Sequence, residues 1–386
     1  MNRREFLCGM CYGGLATCFA PLACFASVPS RSRFVFVLLR GGFDGLAAII
    51  PAMDANYARL RGQLALRPDE LAPLGETGFA LAPGLSSLAE LWNRNELAVT
   101  HAMAIPYRTR SHFDGQAILE TGLARPEGHA DGWLNRLLTI MGGKYEGLAV
   151  GAGLPRSMHG PHAVTTVSLT KLGAVTDAYL ARLHHLYQRD PILLDRFETA
   201  LQAQEEIDEL GPITNHRGPV APILDATAKF LRDPDGPNVA AVEFSGWDTH
   251  RNQGKDGGQL DRRLSQLAAG LSGFRRQMGE AWADTTVVVM TEFGRTVRPN
   301  GSNGTDHGTA GAGLILGPNL AKSAVVSDWP GLAEKDLYEN RDLRPTLDTR
   351  AVLKGVIAGA FDLTTAQANR VFPGSDTIRP LNGIMR

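Results

Sequence analysis

Phe34-Val35-Phe36-Val37-Leu38-Leu39, halted by Gly41-Gly42-Phe43-Asp44-Gly45, decides how the rest of this chain is read. A continuous β-branched and aromatic run without polar alternation fits a strand covered on both faces, the habit of parallel sheets. Val239 to Phe244, Thr286 to Met290, Leu97 to Met103, Gly313 to Leu316 and Ala324 to Ser327 are further strand candidates. Between them the apolar spacing turns helical. Leu85, Leu88, Leu91 and Trp92 fall at helical intervals within Leu85 to Asn95, and Ser111-His112-Phe113-Asp114 sets a capping-type Ser three residues before a carboxylate. Gln259 to Ala281 and Arg350 to Ala360 predict two more helices. Strands alternating with helices imply an α/β fold built on a mostly parallel, doubly wound sheet.

Three polar clusters follow or trail those strands: Trp247-Asp248-Thr249-His250, Thr291-Glu292-Phe293-Gly294-Arg295 and Asp306-His307-Gly308. Residues that end parallel strands collect at the carboxyl edge of the sheet, where open α/β sheets bind ligands. Asp, Glu and neutral His are also the side chains that hard or borderline divalent cations take. The clusters together predict a metal site.

The chain has 386 residues, 44% apolar and 20% charged, an ordinary globular composition for one large domain or two smaller ones. Lys plus Arg is 39 and Asp plus Glu is 40, so no positive excess points to nucleic acid or to a polybasic membrane contact. No nucleotide-binding glycine fingerprint, internal repeat or low-complexity tract is present.

Residues 1 to about 26 read as an export leader: Asn2-Arg3-Arg4-Glu5-Phe6-Leu7, then a mildly apolar run with Gly9, Gly13 and Gly14 that ends at Ala26. Its form resembles a twin-arginine signal, and its glycines and short apolar span argue against a membrane anchor. Export by that route would place the mature chain in the periplasm or outside the cell; it carries proteins already folded, often with a cofactor or metal loaded, which favours a metal-containing mature chain. All four cysteines, Cys8, Cys11, Cys18 and Cys24, lie inside the leader, so metal binding in the mature chain must use oxygen and nitrogen. Lipidation at Cys24 is the alternative, with Pro21 standing where an aliphatic residue is expected.

From residue 33 onward the chain reads as one α/β domain interrupted at about 130–235 by a mainly helical insertion. Its helix candidates are Trp133 to Met141, Val175 to Tyr187, Leu193 to Leu210 and Ile223 to Leu231, separated by Pro and Gly. His184 and His185 are adjacent, so they face different sides of a helix and read as surface residues. His159 and His162, beside Gly160 and Pro161, read as loop residues.

Five motifs taken together are similar to a known family. They are Leu39-Arg40-Gly41-Gly42-Phe43-Asp44-Gly45, Arg110-Ser111-His112-Phe113-Asp114, Gly246-Trp247-Asp248-Thr249-His250, Thr291-Glu292-Phe293-Gly294-Arg295 and Thr305-Asp306-His307-Gly308. The set resembles the twin-arginine-exported bacterial proteins called domain of unknown function 1501, outlying relatives of the alkaline phosphatase and sulfatase superfamily. The resemblance spans nearly the whole mature chain and implies an alkaline-phosphatase-like fold. It also implies two divalent cations at strand ends, with a Ser, Thr or formylglycine nucleophile on one of them.

Carried over by position, the resemblance makes Asp248, His250 and His307 ligands of a first cation. Asp306 becomes the partner that orients His307. At the second site the usual Asp-His pair is replaced by Glu292 and Phe293, and a phenyl ring cannot bind metal. The strand-end carboxylate is absent at Arg40 and Gly41, with Asp44 a few residues later as its substitute. Counting back from Thr121-Gly122, the nucleophile position falls at His112, with Ser111 just before it; either is a candidate, and His112 is alternatively a ligand. A Ser at a helix start beside a cation would have its alkoxide stabilised, while the plain alternative makes Ser111 an N-cap. Arg295, then Arg110 and Arg40, offer planar forks for a phosphate or sulfate oxyanion. Trp247 walls the pocket or belongs to the core.

The function that follows is an exported metal-dependent hydrolase acting on small-molecule phosphate or sulfate esters, with a degenerate second metal site. Two imidazoles and a carboxylate suit Zn²⁺; Mn²⁺ or Ca²⁺ would fit if Asp44 and Glu292 added oxygen ligands. The competing reading is a non-catalytic exported binding or assembly protein that retains the fold.

Overall fold

The computed structural model describes residues 32–386 apart from 128–129, 144, 169–176, 189, 196 and 199–219. The leader with its four cysteines, and most of the helix expected over Leu193 to Leu210, lie outside the described residues.

The strands are β1 (Arg33–Arg40), β2 (Ile49–Ile50), β3 (Ala72–Pro73), β4 (Ala80–Leu81), β5 (Leu97–Ala104), β6 (Gly147–Val150), β7 (Val164–Val167), β8 (Val239–Ser245), β9 (Thr285–Met290), β10 (Gly311–Leu316), β11 (Ala324–Val326) and β12 (Leu347–Asp348). The longer helices are α1 (His112–Thr121), α2 (Trp133–Met141), α3 (Asp177–Tyr187), α4 (Val220–Arg232), α5 (Gln259–Met278) and α6 (Thr349–Phe361). The main sheet runs β11-β5-β10-β9-β1-β8-β6-β7, with β12 also on β5, and β2, β4 and β3 form a small second sheet. β1 is parallel to β8 and β9, β6 to β7 and β8, and β5 to β11 and β12. β10 runs antiparallel to both its neighbours.

The opening run explains why the sheet is covered twice. Val35, Val37 and Leu39 of β1 join one core, with Leu224 of α4 and Leu264 of α5. Phe34, Phe36 and Leu38 join the other, with Trp133 of α2 and Val356 of α6. The strand period of two sends alternate side chains to opposite faces, so an unbroken apolar run is what two helical layers require. Phe34 and Phe36 both meet Trp133 edge-on, at 6.0 and 5.1 Å between ring centroids. Truncating either Phe to Ala would cost about 3–5 kcal/mol.

The expected mostly parallel α/β architecture is present, with corrections. The stretch 130–235 is not purely helical: β6 and β7 lie inside it and extend the main sheet beyond β8. Leu85 to Asn95 forms a 3₁₀ turn (Pro83–Leu88) followed by a five-residue α-helix (Ala89–Asn93). Among the described residues no helix is long and apolar enough to cross a membrane.

Strand direction then determines what meets at one rim. β1, β5, β8 and β9 all end there, delivering Gly41, the Arg110-Ser111-His112 entry to α1, Asp248 with His250, and Glu292. β10 runs the other way, so the segment that leads into it, with His307, starts from the same rim. Gly41 lets β1 end beneath this group: its φ is +123°, and a Cβ there would lie 2.5 Å from the Asp248 backbone nitrogen. No other residue fits.

Candidate metal centre

His112, Asp248 and His307 bring one ligand atom each within 4.8 Å of one another. His112 Nε2 is 2.9 Å from His307 Nε2, and Asp248 reaches both rings, at 3.5 Å from His112 Nε2 and 3.3 Å from His307 Nε2. His250 adds a third imidazole, with its Nε2 3.0 Å from His307 Nε2 and 3.1 Å from Asp248 Oδ1. The predicted trio of Asp248, His250 and His307 is therefore brought together, and His112 joins it.

What faces each imidazole from behind fixes its tautomer. His112 Nδ1 lies 2.7 Å from Glu292 Oε1, His250 Nδ1 3.0 Å from Asp306 Oδ1, and His307 Nδ1 3.0 Å from the Arg110 carbonyl oxygen. A carboxylate or a carbonyl only accepts, so each Nδ1 carries the hydrogen and, in the neutral ring, each Nε2 presents a lone pair. Only with all three rings neutral do three lone pairs and a carboxylate face inward with no proton between them. Imidazoles oriented in this way by outer carboxylates and a carbonyl form a donor set that could hold a cation. Ligand atoms around a tetrahedral zinc stand about 3.3 Å apart, given bonds of about 2.0–2.1 Å, and the contacts above bracket that spacing.

The supports are buried more deeply than the ligands. Glu292 is fully buried and accepts from Gly41 N at 2.9 Å and Gln116 Nε2 at 3.0 Å, besides His112. Burial pushes its carboxyl up, but the bonds from His112, Gln116 and the backbone prevail and hold it below its ordinary value. Arg295 is also buried; its NH1 meets Asp248 Oδ1 at 2.5 Å and Gly41 O at 3.3 Å, while its other nitrogens bind Thr305. For Asp248, partial burial acts upward, yet bonds from His112, His307 and Arg295 keep it far below the usual carboxylate range. Asp306 accepts from Asn300 Nδ2 at 2.9 Å, the main reason its carboxyl is lowered.

Held between Asp248 and Glu292, the His112 imidazole is pushed up to about 9, hydrogen bonds to those two carboxylates outweighing burial.

Several expected roles change. Glu292 stands behind His112 and orients it, so the structure does not include it in the ligand cluster. Asp44 is buried away from the imidazoles, with Oδ2 2.6 Å from Arg61 NH2 and 2.8 Å from Gln253 Nε2. Asp306 orients His250, not His307. Arg295 spends its fork on Asp248 and Thr305 rather than on open space. Arg110 pairs with Asp342 and Glu339, and Arg40 with Gln116, Glu120 and Glu243. Ser111 is the N-cap of α1 with no side-chain cap bond, and the Tyr107 phenol donates to Asp114. Trp247 belongs to the core, 5.4 Å from Phe43 and nearly perpendicular to it. His159 and His162 bind backbone carbonyls, and His184 pairs with exposed Glu198.

Phe293 packs its ring 4.9 Å from that of His112 and 5.1 Å from that of His307. An apolar wall thus stands where a further nitrogen ligand was in question. The support that sequence reading missed entirely is the Arg110 carbonyl. Arg110 has φ +65°, a left-handed conformation that costs a non-glycine residue about 1–2 kcal/mol, and a backbone acceptor leaves no mark in a motif.

Residues 227–372 match the model of the family described as Protein of unknown function (DUF1501). No curated protein matches the chain. Among solved structures, one similar to this chain is a protein in the alkaline phosphatase superfamily from Vibrio parahaemolyticus, 11% identical, covering 91% of this chain and 70% of that one, with a TM-score of 0.43. Another is the PsFucS1 sulfatase from Pseudoalteromonas sp., 13% identical over 92% of this chain and 73% of that one, TM-score 0.39. A third is the C-terminal periplasmic domain of EcEptC from Escherichia coli in complex with Zn, 12% identical over 74% and 73%, TM-score 0.36.

Proposed function

From a chain with a DUF1501 segment and this rim, we propose an exported hydrolase of small-molecule phosphate or sulfate esters that holds one divalent cation, zinc first among candidates, through His112, His250, His307 and Asp248. The observation that carries the reading is the set of three Nδ1 hydrogens directed at Glu292, Asp306 and the Arg110 carbonyl, which turns three Nε2 lone pairs toward Asp248. A bound cation would supply Lewis acidity toward an ester oxygen and lower the pKa of water.

The chain's own residues do the rest. Arg295 keeps Asp248 ionised and aimed, and Glu292 and Asp306 hold two rings in the required tautomer. With Ser111 read as the N-cap of α1 and His112 pointing inward, water is the attacking group in this scheme. The leader supports release by the twin-arginine route to the periplasm or beyond.

One observation favours the second reading, a non-catalytic exported binding or assembly protein. The guanidinium groups of Arg40, Arg110 and Arg295 are each engaged by carboxylates, so none of the three is free for a substrate oxyanion. The test is turnover of aryl phosphate, phosphodiester and aryl sulfate esters by zinc-loaded protein and by Asp248→Ala. Turnover lost in the variant supports the hydrolase; metal retention by the native protein with no turnover of any ester leaves the second reading.

A further inference from the structure

We propose that Asp342, which is none of the metal-binding groups, is the positioning residue of the centre and sets two of its three imidazoles. The inference rests on the cation site proposed above and adds a residue that no motif contains.

Asp342 is fully buried. Its Oδ2 accepts from Arg110 Nε at 2.8 Å, while exposed Glu339 takes Arg110 NH2 at 2.6 Å. Through this clamp the Arg110 backbone is held at φ +65°, and in that conformation its carbonyl oxygen receives the hydrogen on His307 Nδ1 at 3.0 Å. Without the clamp, Arg110 has every reason to relax to negative φ, which would swing the carbonyl away.

The second route is through the backbone. Asp342 forms an isolated antiparallel bridge with Thr296. The Thr296 hydroxyl accepts from Asp306 N at 3.1 Å, and Thr296 N donates to Asp306 O at 2.9 Å. Asp306 in turn fixes His250 through Nδ1 at 3.0 Å. One buried residue therefore stands behind His307 by its side chain and behind His250 by its main chain. The third imidazole, His112, takes its orienting hydrogen bond from Glu292.

The test is a zinc titration of the full chain against a competing chelator, with cobalt(II) absorption as a second readout of ligand geometry. Partners that orient metal ligands are worth about 10–100-fold in affinity. Asp342→Asn is expected to weaken zinc binding by that factor and to shift the cobalt(II) bands. Glu339→Gln, which leaves the buried partner in place, is expected to stay within about twofold, as exposed ion pairs contribute little. Arg110→Lys keeps the charge but loses the fork and falls between the two, so it decides the matter if Asp342→Asn does not fold. Native-like zinc affinity and cobalt(II) bands in the folded Asp342→Asn variant overturn the assignment, as does an Arg110→Lys variant equal to native protein. Failure of the native protein itself to bind zinc instead removes the cation site, and this inference with it.

Discussion

Asp44 and Asp248 leave the same rim a few residues beyond neighbouring parallel strands, and they meet opposite fates. Asp248 stays at the rim, its side chain 37% exposed, touched by three imidazoles and by Arg295. Asp44 turns inward and is buried against the Arg61 guanidinium, also inaccessible, at 2.6 Å. The two carboxylates have the same chemistry and differ in what the backbone places opposite them. A carboxylate facing a fixed guanidinium is a structural ion pair; one facing imidazoles whose outer hydrogens are already committed is the one we propose for a cation. Distance in sequence from a strand end does not distinguish them.

The contrast breaks most visibly if Asp44 is altered. Removing one member of a buried pair leaves the other charge unpaired and costs about 3–5 kcal/mol. Asp44→Asn should show that loss in chemical denaturation and bind zinc as the native protein does. A zinc affinity that collapses with intact stability would mean the two roles are assigned the wrong way round.

Glu292→Gln comes next. It removes the charge behind His112 while keeping its shape, and about 10–100-fold loss of zinc affinity is expected, measured by chelator competition. A change within twofold would show that His112 is not held as a ligand.

The pH dependence sharpens the same point. His112 titrates in the cation-free protein at about 9, raised from 6.5, so its charged pairing stabilises that form fully below 6.5 and is lost as pH rises through 9. A cation needs the neutral ring. Zinc affinity should therefore increase about tenfold per pH unit up to about 9 and level off above it, since one proton is displaced, whereas cation-free stability should decline over the upper part of that range. A flat affinity across pH 7 to 9 would exclude His112 from the ligand set. The smallest effect is assigned to Ser111→Ala: turnover unchanged in a steady-state assay, where losing a nucleophile would cost several orders of magnitude.

Much of this was legible from residues alone. The unbroken apolar run at 34–39 and the mainly apolar runs at 239–244 and 286–290 mark strands of the buried sheet, and the polar residues behind them mark one edge of it. Asp248, His250 and His307 could be singled out because each lies close to such a run. His112 could be named but not given one role, since a helix start serves a nucleophile, a cap or a ligand equally well. Glu292 was misplaced because residue type does not say whether a carboxylate meets a cation or the far nitrogen of an imidazole. β6 and β7 escaped notice because four-residue strands, one carrying Thr165 and Thr166, have too little apolar length to stand out between helical patterns. The role of the Arg110 carbonyl is invisible inside its motif because it is backbone, and Asp342 lies some thirty residues past the last cluster.

Elemental analysis of the folded protein, purified without chelator, compared with Asp248→Ala prepared identically, bears most directly on the convergence of His112, His250, His307 and Asp248. About one equivalent of zinc per native chain, falling to background in the variant, is the expected result. A native protein with no stoichiometric divalent metal, or a variant that retains it in full, would contradict the account.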